Sequence, residues 1–255
     1  MRGRAARFGK DGVAAGRKGP SVMEHVEPLW RTLGAGVIYA IAYLAAVGAF
    51  AWMARRRGLA TEGIRALAAA ALVGGLIGAN LAQLLVAGAI GKTILGGFAG
   101  GYLAVVLTKR QLGIRRPTGD LFAVAFCAGE ALGRIGCFIG GCCYGKVATV
   151  AWAVHDHGAW RHPTQLYLSL AALVTLAVLL AIEKRRALPE NGLFYVQGLL
   201  FCAFRLAIQP YREASALDGA LVLIACTLGL AFFALKLAPL LFGGEKRHEA
   251  RAAVA

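Results

Sequence analysis

Charged residues stand where an apolar sequence leaves little room for them. Arg134 follows Glu130 by one helical turn in AFCAGEALGRIGCFIGG, and Arg205 precedes Gln209 and Arg212 in FRLAIQPYR. Residues four apart share a helix face, and an acid on the N-terminal side of the base is the favourable order. Glu130 and Arg134 therefore read either as a structural ion pair or as a guanidinium held ready for an anion. A guanidinium carries five fixed donors, enough to hold a carboxylate on one side and a phosphate on the other. Arg205, Gln209 and Arg212 make a second stripe, which Pro210 bends or ends by removing a backbone hydrogen bond. Arg212, near that end, either joins Arg205 or reaches out to lipid head groups. In a low-dielectric site such groups would bind a phosphate and stabilise charge as it develops there.

The sulfur atoms leave more room. Six cysteines occur, at 127, 137, 142, 143, 202 and 226, and three of them fall in GCFIGGCCYG, ahead of His155, His157 and His162. The spacing C-x4-C-C matches neither paired C-x2-C zinc ligands nor a C-x-x-C redox pair. Packing as free thiols, a disulfide in an oxidising space and a metal site all stay open. Gly129, Gly133, Gly136 and Gly140 strip one helix side of its side chains. Bare faces of this kind let helices pack closely, and they also let a lipid head group reach the backbone.

The elements that carry these residues are membrane spans. The 255 residues are 58% hydrophobic and 16% charged, with mean hydropathy +0.63, far from the balance of a water-soluble domain. Apolar runs long enough to cross about 30 Å of hydrocarbon fall near 34–54, 64–90, 93–107, 119–141, 165–183, 193–210 and 217–241. The expected fold is all-α, a polytopic membrane bundle of about seven transmembrane helices. The third run is short and glycine-flanked, so it is expected to be tilted, broken or partly buried.

Lysine and arginine cluster after alternate spans, in RRR at 55–57, KRQLGIRR at 109–116, EKRR at 183–186 and EKRH at 245–248. Positive charge stays on the cytoplasmic side, which places the C-terminus there and the N-terminus outside. The loop VHDHGAWRHPTQ is then external. Residues 1–30 read as a basic, disordered extension, with Met23 as the expected start of translation; 31–242 form one membrane domain and 243–255 a cytoplasmic tail. The net charge of +15 is assigned to contact with anionic lipid, and nucleic acid is excluded as a partner.

The chain resembles the prolipoprotein diacylglyceryl transferases, bacterial inner-membrane enzymes. The resemblance rests on GRIGCFIGGCCYGK at 133–146, RHPTQLY at 161–167 and RLAIQPYRE at 205–213, with weaker agreement at Tyr39 and Tyr43 and in TILGGFAGG at 93–101. It implies a seven-span, multi-pass protein of the bacterial cytoplasmic membrane with an external N-terminus. The implied reaction moves the diacylglyceryl group of phosphatidylglycerol to the lipobox cysteine of a prolipoprotein signal peptide, forming a thioether and releasing glycerol phosphate. No metal or organic cofactor is implied.

By motif, Arg134 and Arg205 hold the head group and stabilise the departing phosphate, supported by Arg212. Tyr39 donates a hydrogen bond in the same cavity, Glu130, Gly136 and Gln209 complete the binding set, and His162 is the candidate base. Several positions depart from the family pattern. Leu95 replaces a common histidine and Asn80 an arginine, Cys137, Gly140 and Cys142 stand at the signature's asparagines and glutamate, and Gln209 stands where an acid is expected. Two other readings follow from these departures. One is a divergent paralogue that binds phospholipid or lipidates another acceptor. The other is a membrane thiol-redox or metal-binding protein using Cys137, Cys142 and Cys143.

Overall fold

The computed structural model describes residues 29–87, 93–185 and 187–252, with 86, 87, 94, 95 and 242–252 as backbone only. The basic segment before Leu29, including Met23, lies outside the described residues. Among the described residues the chain forms seven α-helices: α1 Leu29–Arg56, α2 Glu62–Ala87, α3 Ile94–Gln111, α4 Gly119–Ile139, α5 Thr164–Arg185, α6 Gly192–Ile208 and α7 Ala216–Ala252. Each coincides with an apolar run of the sequence. Among the described residues six helices are long and apolar enough to cross a membrane, α6 counted with the turn that follows it to Tyr211, and α3 is not one of the six. The last turn of α3 carries Lys109, Arg110 and Gln111, which dilute its apolar stretch. The bundle is that of a multi-pass membrane protein.

The centre of the bundle is α4, which packs on α1, α5 and α6, while α6 also carries α7. Phe50, Met53, Leu67, Leu121, Val124, Leu179 and Leu193 fill the core. Leucines, valines and isoleucines also cover the outward faces, such as Leu44, Leu76 and Leu228. In lipid an apolar exterior is the stable one, so helix contacts depend on shape and polar bonds rather than on burial from water.

Shape decides the α2–α3 contact. Gly74 and Gly78 of α2 face Gly96 and Gly100 of α3, and a Cβ added at any of the four would drive into the opposite backbone or an alanine methyl. The two helices therefore touch main chain to main chain. Thr93 anchors the start of α3: its hydroxyl accepts from the Gly96 amide, and its own amide donates to the Ala79 carbonyl. Gly78→Ile is expected to separate this pair and to cost about 1–3 kcal/mol. The measurement is the midpoint of thermal inactivation in detergent; an unchanged midpoint would contradict a backbone-to-backbone seam.

Polar bonds fix one end of the bundle. Arg57, just past α1, bonds Asp120 at 2.6 Å and also pairs with Glu183 near the end of α5. Asp120 accepts from the backbone amides of Asn191 and Phe194 at the start of α6, each at 3.0 Å. One carboxylate thus caps α6 and pairs with the α1 end, so four helices meet around two buried acids. The basic clusters at 55–57 and 109–116 lie at this end.

The opposite end carries a small polar cap. A β-hairpin, β1 Val154–Asp156 and β2 Ala159–Arg161, turns at His157 and Gly158, both with positive φ. Two-residue hairpin turns that match strand twist need that conformation at both positions. Residues 145–148 run beside β2, and Gly145 also pairs with Arg212. The loop after α4 is thereby sewn to the segment that leaves α6.

Candidate active site

Arg134 and Arg205 lie near the C-terminal ends of α4 and α6, which run in the same direction, so the bundle brings both to the capped end. Arg134 donates from Nε and Nη2 to Glu130 Oε1 at 3.2 and 3.0 Å. Both side chains are close to fully buried, at 11% and 8% exposure. Arg205 is buried and donates to Gln209 Oε1 at 2.6 Å. A three-residue 3-10 turn, Gln209–Tyr211, follows α6 where Pro210 stops it. The next residue is Arg212, whose buried Nε has no hydrogen-bond partner among the described residues.

The three arginines are electrostatic neighbours: Arg205 feels both Arg134 and Arg212, and Glu130 feels Arg205 as well as Arg134. Among the described residues Glu130 is the only carboxylate within 4 Å of any of the three. Three guanidiniums against one carboxylate leave an excess of positive charge in a place that penalises it. Gln209 sharpens the excess, because an amide accepts a hydrogen bond without neutralising Arg205.

The cysteines converge on the same place. The Sγ atoms of Cys137, Cys142 and Cys143 all lie within 4.8 Å of one another, and none is in a disulfide. Tyr39 of α1 donates to Cys137 Sγ at 3.2 Å and stands 3.8 Å from Cys142 Sγ. Its ring rests on Gly136, where an added Cβ would be 3.1 Å from the ring edge. Gly129 and Gly140 likewise seat Ala46 and Ala35, whereas Gly133 faces open space. The glycine stripe is therefore mainly the seat of α1, and Gly136 in particular is the seat of Tyr39.

The turn after α4 bends sharply to return the sulfurs, with positive φ at Gly141 and at Cys143. A cysteine rarely adopts that conformation, so its neighbours must hold it there. Thr164 Oγ1 donates to the Cys143 carbonyl at 3.0 Å, and Gln165 Nε2 to the Cys142 carbonyl at 2.8 Å. Hydrogen bonds from Cys137 and Cys142 hold the Cys143 thiol below its ordinary range, and the charges of Arg212 and Arg134 act the same way against burial.

The RHPTQ run is the frame of this loop. Arg161 bonds the Gly145 and Asp156 carbonyls at 3.2 Å each, stacks over Tyr144, and reaches Glu213 at 3.6 Å. His162 exchanges main-chain bonds with Gly145 and Lys146. Its Nδ1 lies 3.2 Å from the Tyr167 hydroxyl, which accepts from Trp152 Nε1 at 2.7 Å. An indole N–H only donates, so the Tyr167 oxygen accepts from Trp152, and His162 Nδ1 shares a hydrogen bond with the same hydroxyl, its direction set by the imidazole tautomer. His162 also lines an outer cavity of about 240 Å³ with Trp30, Arg31, Asp156, Arg161 and Gln165; neither Arg134 nor Arg205 lines it.

Thr164 and Gln165 act through contacts 21 and 23 residues away in sequence, and Arg161 reaches as far as Glu213, so only their place in one motif with His162 marks them in the sequence. Asn80 donates to the Leu76 carbonyl of its own helix, α2, at 2.8 Å. Tyr43 is half exposed on the outside of α1. The side chain of Leu95 lies outside the described residues.

Known sequences fall in line with this arrangement. A profile of the family described as prolipoprotein diacylglyceryl transferase matches residues 34–242. A phosphatidylglycerol–prolipoprotein diacylglyceryl transferase of Geobacter sulfurreducens is 31% identical over 224 residues, covering 77% of this chain and 86% of its own. The protein of the same name from Clostridium tetani is 27% identical over 201 residues, covering 70% and 80%. One from Sinorhizobium medicae is 36% identical over 151 residues, about half of each chain. The profile spans α1 to α7 and takes in both arginine stripes, the cysteine loop and the RHPTQ frame, and on that match the chain belongs to the prolipoprotein diacylglyceryl transferase family.

Proposed function

We propose that this protein transfers the diacylglyceryl group of phosphatidylglycerol to the cysteine thiol of a prolipoprotein, at the lipobox of its signal peptide, in the bacterial cytoplasmic membrane. The N-terminus faces outward, so the arginine site opens near the outer leaflet. Residues 31–242 form the transferase domain. The observation that carries the reading is the surplus of guanidinium charge around Arg205 and Arg212, beside a family match that names the reaction's two substrates.

A phosphodiester supplies the missing anion. Arg205 and Arg212 offer donors without a carboxylate partner, and Arg134 is oriented by Glu130 to present its remaining donors. In the reaction the acceptor sulfur bonds the glyceryl carbon while the carbon–oxygen bond to phosphate breaks. The electron pair leaves on phosphate oxygen, where charge grows from one negative towards two. Preoriented guanidiniums stabilise that gain more than the ground state, which is what accelerates a reaction. Gln209 orients Arg205, Tyr39 and Gly136 close the side towards α1, and His162 is a positioning residue that holds the loop carrying the cysteines.

Lipid retention tests the binding half of this reading. Protein purified in mild detergent and offered equal amounts of phosphatidylglycerol and neutral diacylglycerol is expected to keep the anionic lipid by at least about tenfold, a difference of about 1.4 kcal/mol. Equal retention of both, seen by native mass spectrometry, would remove the phosphate from the site.

A further inference from the structure

We propose that Cys137, Cys142 and Cys143 form a three-thiolate site for a zinc ion whose fourth position takes the thiol of the acceptor peptide. The site lies beside the arginines, and its role in the reaction rests on the transferase reading above. Two sulfurs about 2.3 Å from zinc at tetrahedral angles stand about 3.8 Å apart. The three sulfurs here already lie within 4.8 Å of one another, so side-chain shifts of about 1 Å close the site around an ion.

The surroundings are those of a ligand set rather than of packing thiols. Cys143 is held at positive φ, and the carbonyls of Cys142 and Cys143 are pinned by Gln165 and Thr164. Tyr39 donates to a sulfur, the kind of outer bond that orients and tunes a metal ligand. Three thiolates and a divalent ion sum to one negative charge, which Arg134 and Arg212 stand near enough to balance. Cys137 and Cys143 are partly buried while Cys142 is exposed, so the site opens on one side. Three protein ligands with an open position is the pattern of zinc sites that do chemistry, whereas structural sites are closed by a fourth.

That position answers a need of the reaction. The attacking sulfur must lose its proton, yet Nδ1 of His162 is engaged and Glu130 is paired with Arg134. Zinc coordination deprotonates a thiol outright and releases the proton to solvent. The bound sulfur then attacks the glyceryl carbon. The S–C bond forms, the C–O bond breaks with its electrons on the glycerol phosphate oxygen, and the thioether leaves zinc as a weak ligand.

Cobalt is the spectroscopic probe, used with intact protein in reducing detergent solution. One Co²⁺ per chain is expected, with thiolate-to-metal absorption and the strong visible bands of a tetrahedral site. Cys142→Ser and Cys143→Ser, checked for folding by size-exclusion chromatography, are expected to lose this spectrum, and Cys202→Ser to keep it. Adding a lipobox peptide should shift the bands, and a peptide with serine at the acceptor position should not. Absence of the spectrum in folded wild type, its survival in both cluster variants, or a disulfide located within the cluster would overturn the proposal.

Activity separates the two readings. Adduct formation by chelated, metal-free protein at the full rate would leave the transferase standing and refute zinc; the expected result is a loss of at least about tenfold, restored by Zn²⁺. A peptide-dependent cobalt spectrum without any adduct would keep the metal site and refute the transferase.

Discussion

Arg205→Ala is expected to lower kcat/KM for diacylglyceryl transfer by about 10³-fold or more, close to 4 kcal/mol of transition-state stabilisation. The variant is informative because of what Arg205 touches. Its hydrogen-bond partner is the amide of Gln209, so truncation strands no buried carboxylate and the fold should survive. Arg134→Ala should be equally inactive but less stable, because it leaves Glu130 buried without its partner. Arg205→Lys should recover only part of the rate, since an ammonium cannot grip a phosphate with two parallel bonds. Rates of purified variants in phosphatidylglycerol micelles, read beside their thermal midpoints, make the check. A folded Arg205→Ala protein with near-normal rate would put the leaving phosphate elsewhere.

Asp120→Ala should act on stability alone, by about 3–5 kcal/mol. The carboxylate bonds Arg57 and caps the start of α6, and it lies at the other end of α4 from the arginine site. The 21 residues of α4 put about 30 Å between its ends. Truncation leaves two backbone donors and part of a guanidinium unpaired in the interior. The expected result is a much lower midpoint of thermal inactivation, while the rate at low temperature per folded molecule stays near the wild-type value. A large loss of rate without loss of stability would tie this end of the bundle to the chemistry.

Membrane length and hydropathy made the helices readable, since each span must satisfy its own backbone over a fixed thickness. The Glu130–Arg134 pair was readable for a similar reason: helix geometry alone brings residues four apart together. Arg205 and Gln209 were readable as one stripe for the same reason, and the structure joins them by a hydrogen bond. Contacts that cross the chain could not be read in this way. Nothing local in RHPTQ says that Thr164 and Gln165 hold the carbonyls of Cys143 and Cys142, or that Arg161 links the hairpin to Glu213. The spacing of Cys137, Cys142 and Cys143 straddles a helix end, and only the positive φ values at Gly141 and Cys143 show how the sulfurs meet. Asp120 opens α4, and its carboxylate serves three elements through partners 63 to 74 residues distant that no local pattern connects to it.

The most direct measurement is the mass of a synthetic lipobox peptide after incubation with the purified protein and phosphatidylglycerol, with released glycerol phosphate counted in the same tube. A gain of one diacylglyceryl group on the cysteine, matched mole for mole by glycerol phosphate and absent with Arg205→Ala, is the predicted result. A folded wild-type protein that leaves the peptide mass unchanged, while a relative from the same family modifies it under the same conditions, would contradict the transferase assignment.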